Sequence, residues 1–243
     1  MSKAQHTVYL YLAQESELEI DIDAALEALP DYSKEKIQRK QTAALRSSAI
    51  KAHALMDWCL RKHRFQEGES YRLRETAHGK PIACFEDQTF ASFNLSHSHG
   101  RIAFACADTQ MAIGVDCEAS KKDNFLKIAD RYFTAEESGS LRKIQDVAES
   151  REAFTRIWTR KEAWVKMLGL GIQKPLSSFR VSTQASPNRW ILEDSEIEDL
   201  SPYSTFDAHF TDNTPVAIST DQPTQILRLH VRARDGQFIA QID

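Results

Sequence analysis

Apolar and polar positions alternate along Thr7–Ala13, a period of two that predicts a strand early in the chain. From Lys34 to Arg64 there is neither Gly nor Pro, and with Ser33 ahead of it as a cap this run predicts one long helix. His78-Gly79-Lys80-Pro81 reads as a turn, and Ala91–Ser96 as a short strand ending in the polar cluster Ser96-His97-Ser98-His99-Gly100. Ile102–Ala107 and Met111–Cys117 are β-rich runs on either side of Asp108-Thr109-Gln110, the pattern of a hairpin. Phe125–Tyr132 predicts a helix and Thr134 with Glu137 a capping box for another. Ala153–Leu168 predicts a further helix, stopped by Gly169 and Gly171. Beyond Pro175 short β-rich runs recur at Phe179–Ser182, Trp190–Leu192, Phe206–Phe210, Val216–Ser219 and Ile226–Val231. This order predicts an α+β fold of two similar lobes, N-terminal over 1–110 and C-terminal over 111–243, with a ligand cleft between them. The chain beyond about 185 is expected to complete the second lobe.

Composition narrows the classes. The 243 residues suffice for one large domain or two small ones with a real core. A net charge of −4 argues against a general nucleic-acid binder, although 34–64 carries nine Lys/Arg against two acids. That helix is either a solvated basic face or a cationic wall for phosphates. No apolar run approaches the roughly 18 residues of a membrane span, and the start of the chain shows no secretory pattern. Cys59, Cys84, Cys106 and Cys117 are scattered without a CxxC pair, which predicts a reduced, cytoplasmic protein with neither zinc nor disulfides.

The chemistry concentrates in two segments. In Ile113-Gly114-Val115-Asp116-Cys117-Glu118 the two carboxylates are two apart, so a strand would project both to one face and Cys117 to the other. In Trp158-Thr159-Arg160-Lys161-Glu162-Ala163-Trp164-Val165-Lys166 a helix carries a third carboxylate between lysines. Taken singly, Asp-x-Glu is an ordinary strand end and Glu162–Lys166 a helix-surface pair. Together the three carboxylates form a hard oxygen set suited to Mg²⁺, and lysines beside them point to phosphate as the remaining ligand. There is no Walker loop, GxGxxG or GxSxG.

At these residues the chain resembles the Sfp-type 4′-phosphopantetheinyl transferases. The resemblance rests on Gly79-Lys80-Pro81, Phe93-Asn94-Leu95-Ser96-His97, Gly114-Val115-Asp116-Cys117-Glu118 and Trp158-Thr159-Arg160-Lys161-Glu162-Ala163-Trp164-Val165-Lys166, in the family's order over roughly 36–182. Tyr132-Phe133-Thr134 with Glu137 matches a further segment. The resemblance implies a pseudo-two-fold monomer that binds coenzyme A between its lobes. It implies Mg²⁺-dependent transfer of 4′-phosphopantetheine to a serine of an apo acyl or peptidyl carrier domain (a holo-[acyl-carrier-protein] synthase activity), with release of adenosine 3′,5′-bisphosphate. Such enzymes serve fatty-acid, polyketide or non-ribosomal-peptide synthesis. Asp116, Glu118 and Glu162 are then the metal ligands, and Glu162 and Lys166 the catalytic pair. Glu162 would take the serine proton directly or through water, with hydroxide at the metal as the alternative base. Lys80, Pro81, Ser96, His97, Lys161 and Lys166 would contact coenzyme A, with Arg46 and Ser47 near its 3′-phosphate. No nucleic acid or membrane partner is implied.

Overall fold

The computed structural model describes residues 6–64, 71–85, 88–107, 109–119 and 123–242. Strand β1 (His6–Leu18) is followed by helices α1 (Ile22–Ala28), α2 (Asp31–Gln38) and α3 (Ala43–Arg64). Strands β2 (Arg72–Glu75), β3 (Pro81–Phe85), β4 (Gln88–Ser98), β5 (Arg101–Ala107) and β6 (Ile113–Cys117) come next. Helices α4 (Phe125–Tyr132), α5 (Ala135–Lys143) and α6 (Val147–Leu168) separate these from β7 (Phe179–Val181) and β8 (Ile191–Asp194). The chain closes with β9 (Ser204–His209), β10 (Pro215–Thr220), β11 (Thr224–Arg234) and β12 (Gln237–Ile242).

A seven-stranded sheet runs β12-β11-β1-β5-β4-β3-β2, a three-stranded sheet runs β6-β10-β9, and β7 pairs with β8. These form a mixed α+β fold in stacked layers. The centre of the large sheet is covered on both faces, so the alternation expected over Thr7–Ala13 separates two buried faces rather than a wet one from a dry one. Tyr11 and Ala13 pack with Leu55, Cys59 and Phe104 beneath α3, whereas Val8, Leu10 and Leu12 meet Ile113, Val115 and Ile218 of the small sheet. On the far side of the small sheet lies α6, whose Ala163 and Trp164 pack in a separate core with Phe154, Trp190 and Ala217.

The local signals hold well in the second half. Helix α4 has the expected bounds, Thr134 and Glu137 form both bonds of the capping box, and α6 ends on Gly169 in the left-handed region at φ 72°. Three expectations need correction. The single helix over 34–64 is two, because Thr42 caps a fresh start by accepting from the Leu45 amide at 3.2 Å. The break lets Leu29 and Ile37 pack on Ala49 and Ile50 instead of facing water. Ser33 is then no cap. It is fully buried, with its hydroxyl 2.9 Å from His53 Nδ1. The hairpin of 102–107 with 111–117 does not form, because both edges of β5 are already taken by β1 and β4. Strand β6 pairs instead with β10. The chain beyond 185 divides: β9 and β10 extend the small sheet, while β11 returns to lie parallel to β1 with β12 outside it. No helix among the described residues is long and apolar enough to cross a membrane.

Candidate active site

The site is built where β6 passes between β4 and α6. One edge of β6 pairs with β10; the other faces side chains rather than a strand. Along β4, alternate small polar residues share a face and take over the ladder. Ser92 accepts the Met111 amide at 2.8 Å, Asn94 the Val115 amide at 2.8 Å, Ser96 the Cys117 amide at 3.3 Å and Ser98 the Ala119 amide at 3.3 Å. Buried backbone N–H groups need such partners. The signal for this ladder is the period-two run Ser92-x-Asn94-x-Ser96-x-Ser98, of which the local pattern marks only the end as a polar cluster.

Two of these serines also hold the carboxylates. Ser96 Oγ donates to Asp116 Oδ1 at 2.8 Å, and Ser98 Oγ donates to Glu118 Oε1 at 2.7 Å. From α6, Lys166 Nζ reaches across to Asp116 Oδ1 at 2.6 Å, Ser96 Oγ at 3.1 Å and the Val115 carbonyl at 3.3 Å. Asp116 is buried, and its pKa is raised first by that burial and further by the Glu118 charge, against the lowering effect of Lys166 and Ser96. Burial likewise opposes the Lys166 charge, but Asp116 more than compensates and raises the lysine's pKa. Glu162, one turn before Lys166 on α6, adds to that rise. Gly114 permits this closeness: a Cβ there would lie 1.9 Å from the Ala163 carbonyl oxygen. Cys117 points to the opposite side, into the core between the sheets, where burial raises its thiol pKa to about 12.

As metal donors, Asp116 and Glu118 suit a hard cation in kind: two carboxylates from alternate positions of one strand, each oriented by a serine. Their charge suits it as well, since a buried carboxylate beside another needs a positive partner. In this geometry that partner is Lys166, and no group of three metal-binding side chains is drawn together among the described residues.

The remaining predicted residues fall at different distances from this centre. Lys80 is half-buried, with its Nζ donating to the Ile113 carbonyl at 2.9 Å and the Met167 carbonyl at 3.1 Å. It therefore ties the start of β6 to the end of α6, and burial lowers its pKa to about 8. Lys80 and Pro81 line a cleft of about 400 Å³ with Ser92, Met111 and Asp221. His97 projects from the α3 face of β4, opposite Ser96. Burial, then the charge of Lys40, lowers its pKa. Arg46 is exposed and donates to the Lys40 carbonyl at 2.9 Å, beside the half-buried Ser47. Lys161 is placed elsewhere. It is fully buried, with Nζ on the Leu176 and Phe179 carbonyls at 2.7 Å each and on Glu137 at 2.8 Å. Its amine thus faces the interior of the α6 layer, away from the cleft.

Residues 112–220 match the family model described as the 4′-phosphopantetheinyl transferase superfamily. The chain is 38% identical over 110 residues to the 4′-phosphopantetheinyl transferase Sfp of Bacillus subtilis, covering 45% of this chain and 46% of that one. It is 30% identical over 150 residues to the transferase gsp of Aneurinibacillus migulanus, covering 58% and 60% respectively. It is 29% identical over 109 residues to the human L-aminoadipate-semialdehyde dehydrogenase-phosphopantetheinyl transferase, covering 42% and 35%. The chain spans about half the length of the relatives it matches. The motif resemblance is borne out by these matches.

Proposed function

From that family resemblance we propose that the protein transfers 4′-phosphopantetheine from coenzyme A to a serine hydroxyl of an apo acyl or peptidyl carrier domain, releasing adenosine 3′,5′-bisphosphate. The observation that carries this reading is the meeting of Asp116, Lys166 and Ser96 within hydrogen-bond distance of one another, from three motifs on β6, α6 and β4. We read the α3-covered large sheet and the α6-covered small sheet as the two lobes, acting together as a monomer with coenzyme A held between them. Four buried free cysteines fit a reducing compartment such as the cytoplasm.

Asp116, Glu118 and Glu162 are the residues that would hold Mg²⁺, which when bound supplies charge neutralisation for the pyrophosphate. Lys166 turns from Asp116 to a phosphate oxygen, a charge-assisted bond that strengthens as negative charge builds on the leaving bisphosphate. Glu162 takes the proton of the acceptor serine, whose oxygen then attacks the phosphorus bearing the pantetheine arm. Lys80, Pro81 and His97 line the coenzyme side, and Arg46 with Ser47 at the start of α3 reads the 3′-phosphate. Ser96 acts on the coenzyme side through Asp116, which it orients. The Lys121–Ile128 stretch, whose basic and apolar residues suit an acidic carrier helix, is the expected carrier contact and lies partly outside the described residues.

The test is transfer of labelled phosphopantetheine to purified apo carriers from fatty-acid, polyketide and peptide pathways, with Mg²⁺ or with chelator. Transfer should require the metal and be lost in Asp116→Ala and Glu162→Ala, assayed on protein that still unfolds cooperatively, since Asp116→Ala also takes the carboxylate from Lys166 and should melt earlier. Failure to modify any carrier, or near-normal turnover in either variant, would overturn the reading.

A further inference from the structure

Past Glu118 the site opens into a cleft of about 660 Å³ between the first half of α6, the turn joining β4 to β5, and the turn before β10. Most of its charged walls are engaged. Arg101 holds Asp212 at 2.5 Å, Arg151 reaches Asp123 at 3.0 Å, and Glu118 accepts from Ser98 at 2.7 Å. Arg156 differs. Its Nε–H is buried and has no acceptor among the described residues, although the side chain lines this cleft and an adjoining one of about 360 Å³.

A buried donor without an acceptor is unfavourable, and a carbonyl brought into the cleft lets the guanidinium turn to meet it. Thr155 and Asn213 line the same walls. An anion entering here would also face Glu118, Glu152 and Asp212, so an uncharged chain with carbonyl oxygens is the better match. If pyrophosphate sits at Asp116 and Lys166, the cleft beyond Glu118 is where the transferred arm has room.

We propose that this cleft is the subsite for the pantetheine arm, an uncharged chain bearing two amides, and that Arg156 donates to an amide carbonyl. The assignment rests on the transferase reading above. Calorimetric titration of the full chain and of Arg156→Gln with coenzyme A, and with adenosine 3′,5′-bisphosphate, which lacks the arm, tests it. The variant should bind coenzyme A about fivefold to tenfold more weakly and the bisphosphate unchanged. Equal losses for both ligands, or no loss for coenzyme A, would overturn the subsite while leaving the transferase reading intact. A wild-type chain that binds neither ligand overturns both. Should Arg156→Gln fail to fold, Arg156→Lys keeps the charge without the planar fork. It should show a selective loss for coenzyme A, and undiminished binding would refute the role.

Discussion

Replacing Gly114 with alanine should loosen the site by separating the two layers that form it. The added Cβ would stand 1.9 Å from the Ala163 oxygen and 2.4 Å from the Met167 amide nitrogen, where real Cβ atoms essentially never come within 3.0 Å. Both neighbours are backbone atoms of α6, so no rotamer change relieves the overlap, and the helix must recede by about 1 Å or more through a close-packed interior. Overpacking of this kind costs about 1–3 kcal/mol, and the absence of a side-chain escape places Gly114→Ala at about 3 kcal/mol. For a chain of this size that corresponds to a melting temperature lower by roughly 6–12 °C. Urea denaturation followed by circular dichroism, with a thermal scan, measures both quantities. The same recession draws Lys166 away from its 2.6 Å contact with Asp116, so transfer should fall even where the variant is fully folded. A loss below about 1 kcal/mol would show that α6 is not seated on Gly114 as described.

Two further outcomes follow from buried titratable groups. Lys161→Met removes the partner of fully buried Glu137 (2.8 Å) and should cost about 3–5 kcal/mol in denaturant unfolding. Lys166→Met also strips Asp116 of its partner, but at a more exposed pair whose carboxylate keeps the Ser96 bond. It should therefore cost less and should lose transfer in the folded variant, and the reverse pattern would exchange their roles. His53 has its pKa lowered to about 4 by burial, then by the charges of His97, Lys40 and Lys36. Between the ordinary histidine value and pH 4 the unfolded chain therefore binds a proton that the folded one refuses, and this group's contribution to stability declines as pH falls through that window. His53→Gln should flatten the melting-temperature profile there; an unchanged slope would assign the acid sensitivity to other groups.

Short-range physics made part of this protein legible from its chain. The Thr134–Glu137 box, the glycine that stops α6 and the strand alternation that projects Asp116 away from Cys117 all depend on residues a few positions apart. The family resemblance likewise rested on contiguous motifs. What the chain alone left open was which surfaces meet. Lys161 and Lys166 have the same chemistry on one helix, yet the former is spent on carbonyls and Glu137 while the latter crosses to Asp116. Only the layer that each face of α6 packs against separates them. Ser96, a coenzyme contact by the family resemblance, forms with Ser92, Asn94 and Ser98 the edge that completes β6, because a strand already paired on one side must satisfy its other N–H groups wherever acceptors lie. The split of 34–64 into two helices and the return of β11 to β1 have the same origin: free sheet edges and apolar faces are long-range quantities, settled when the layers assemble.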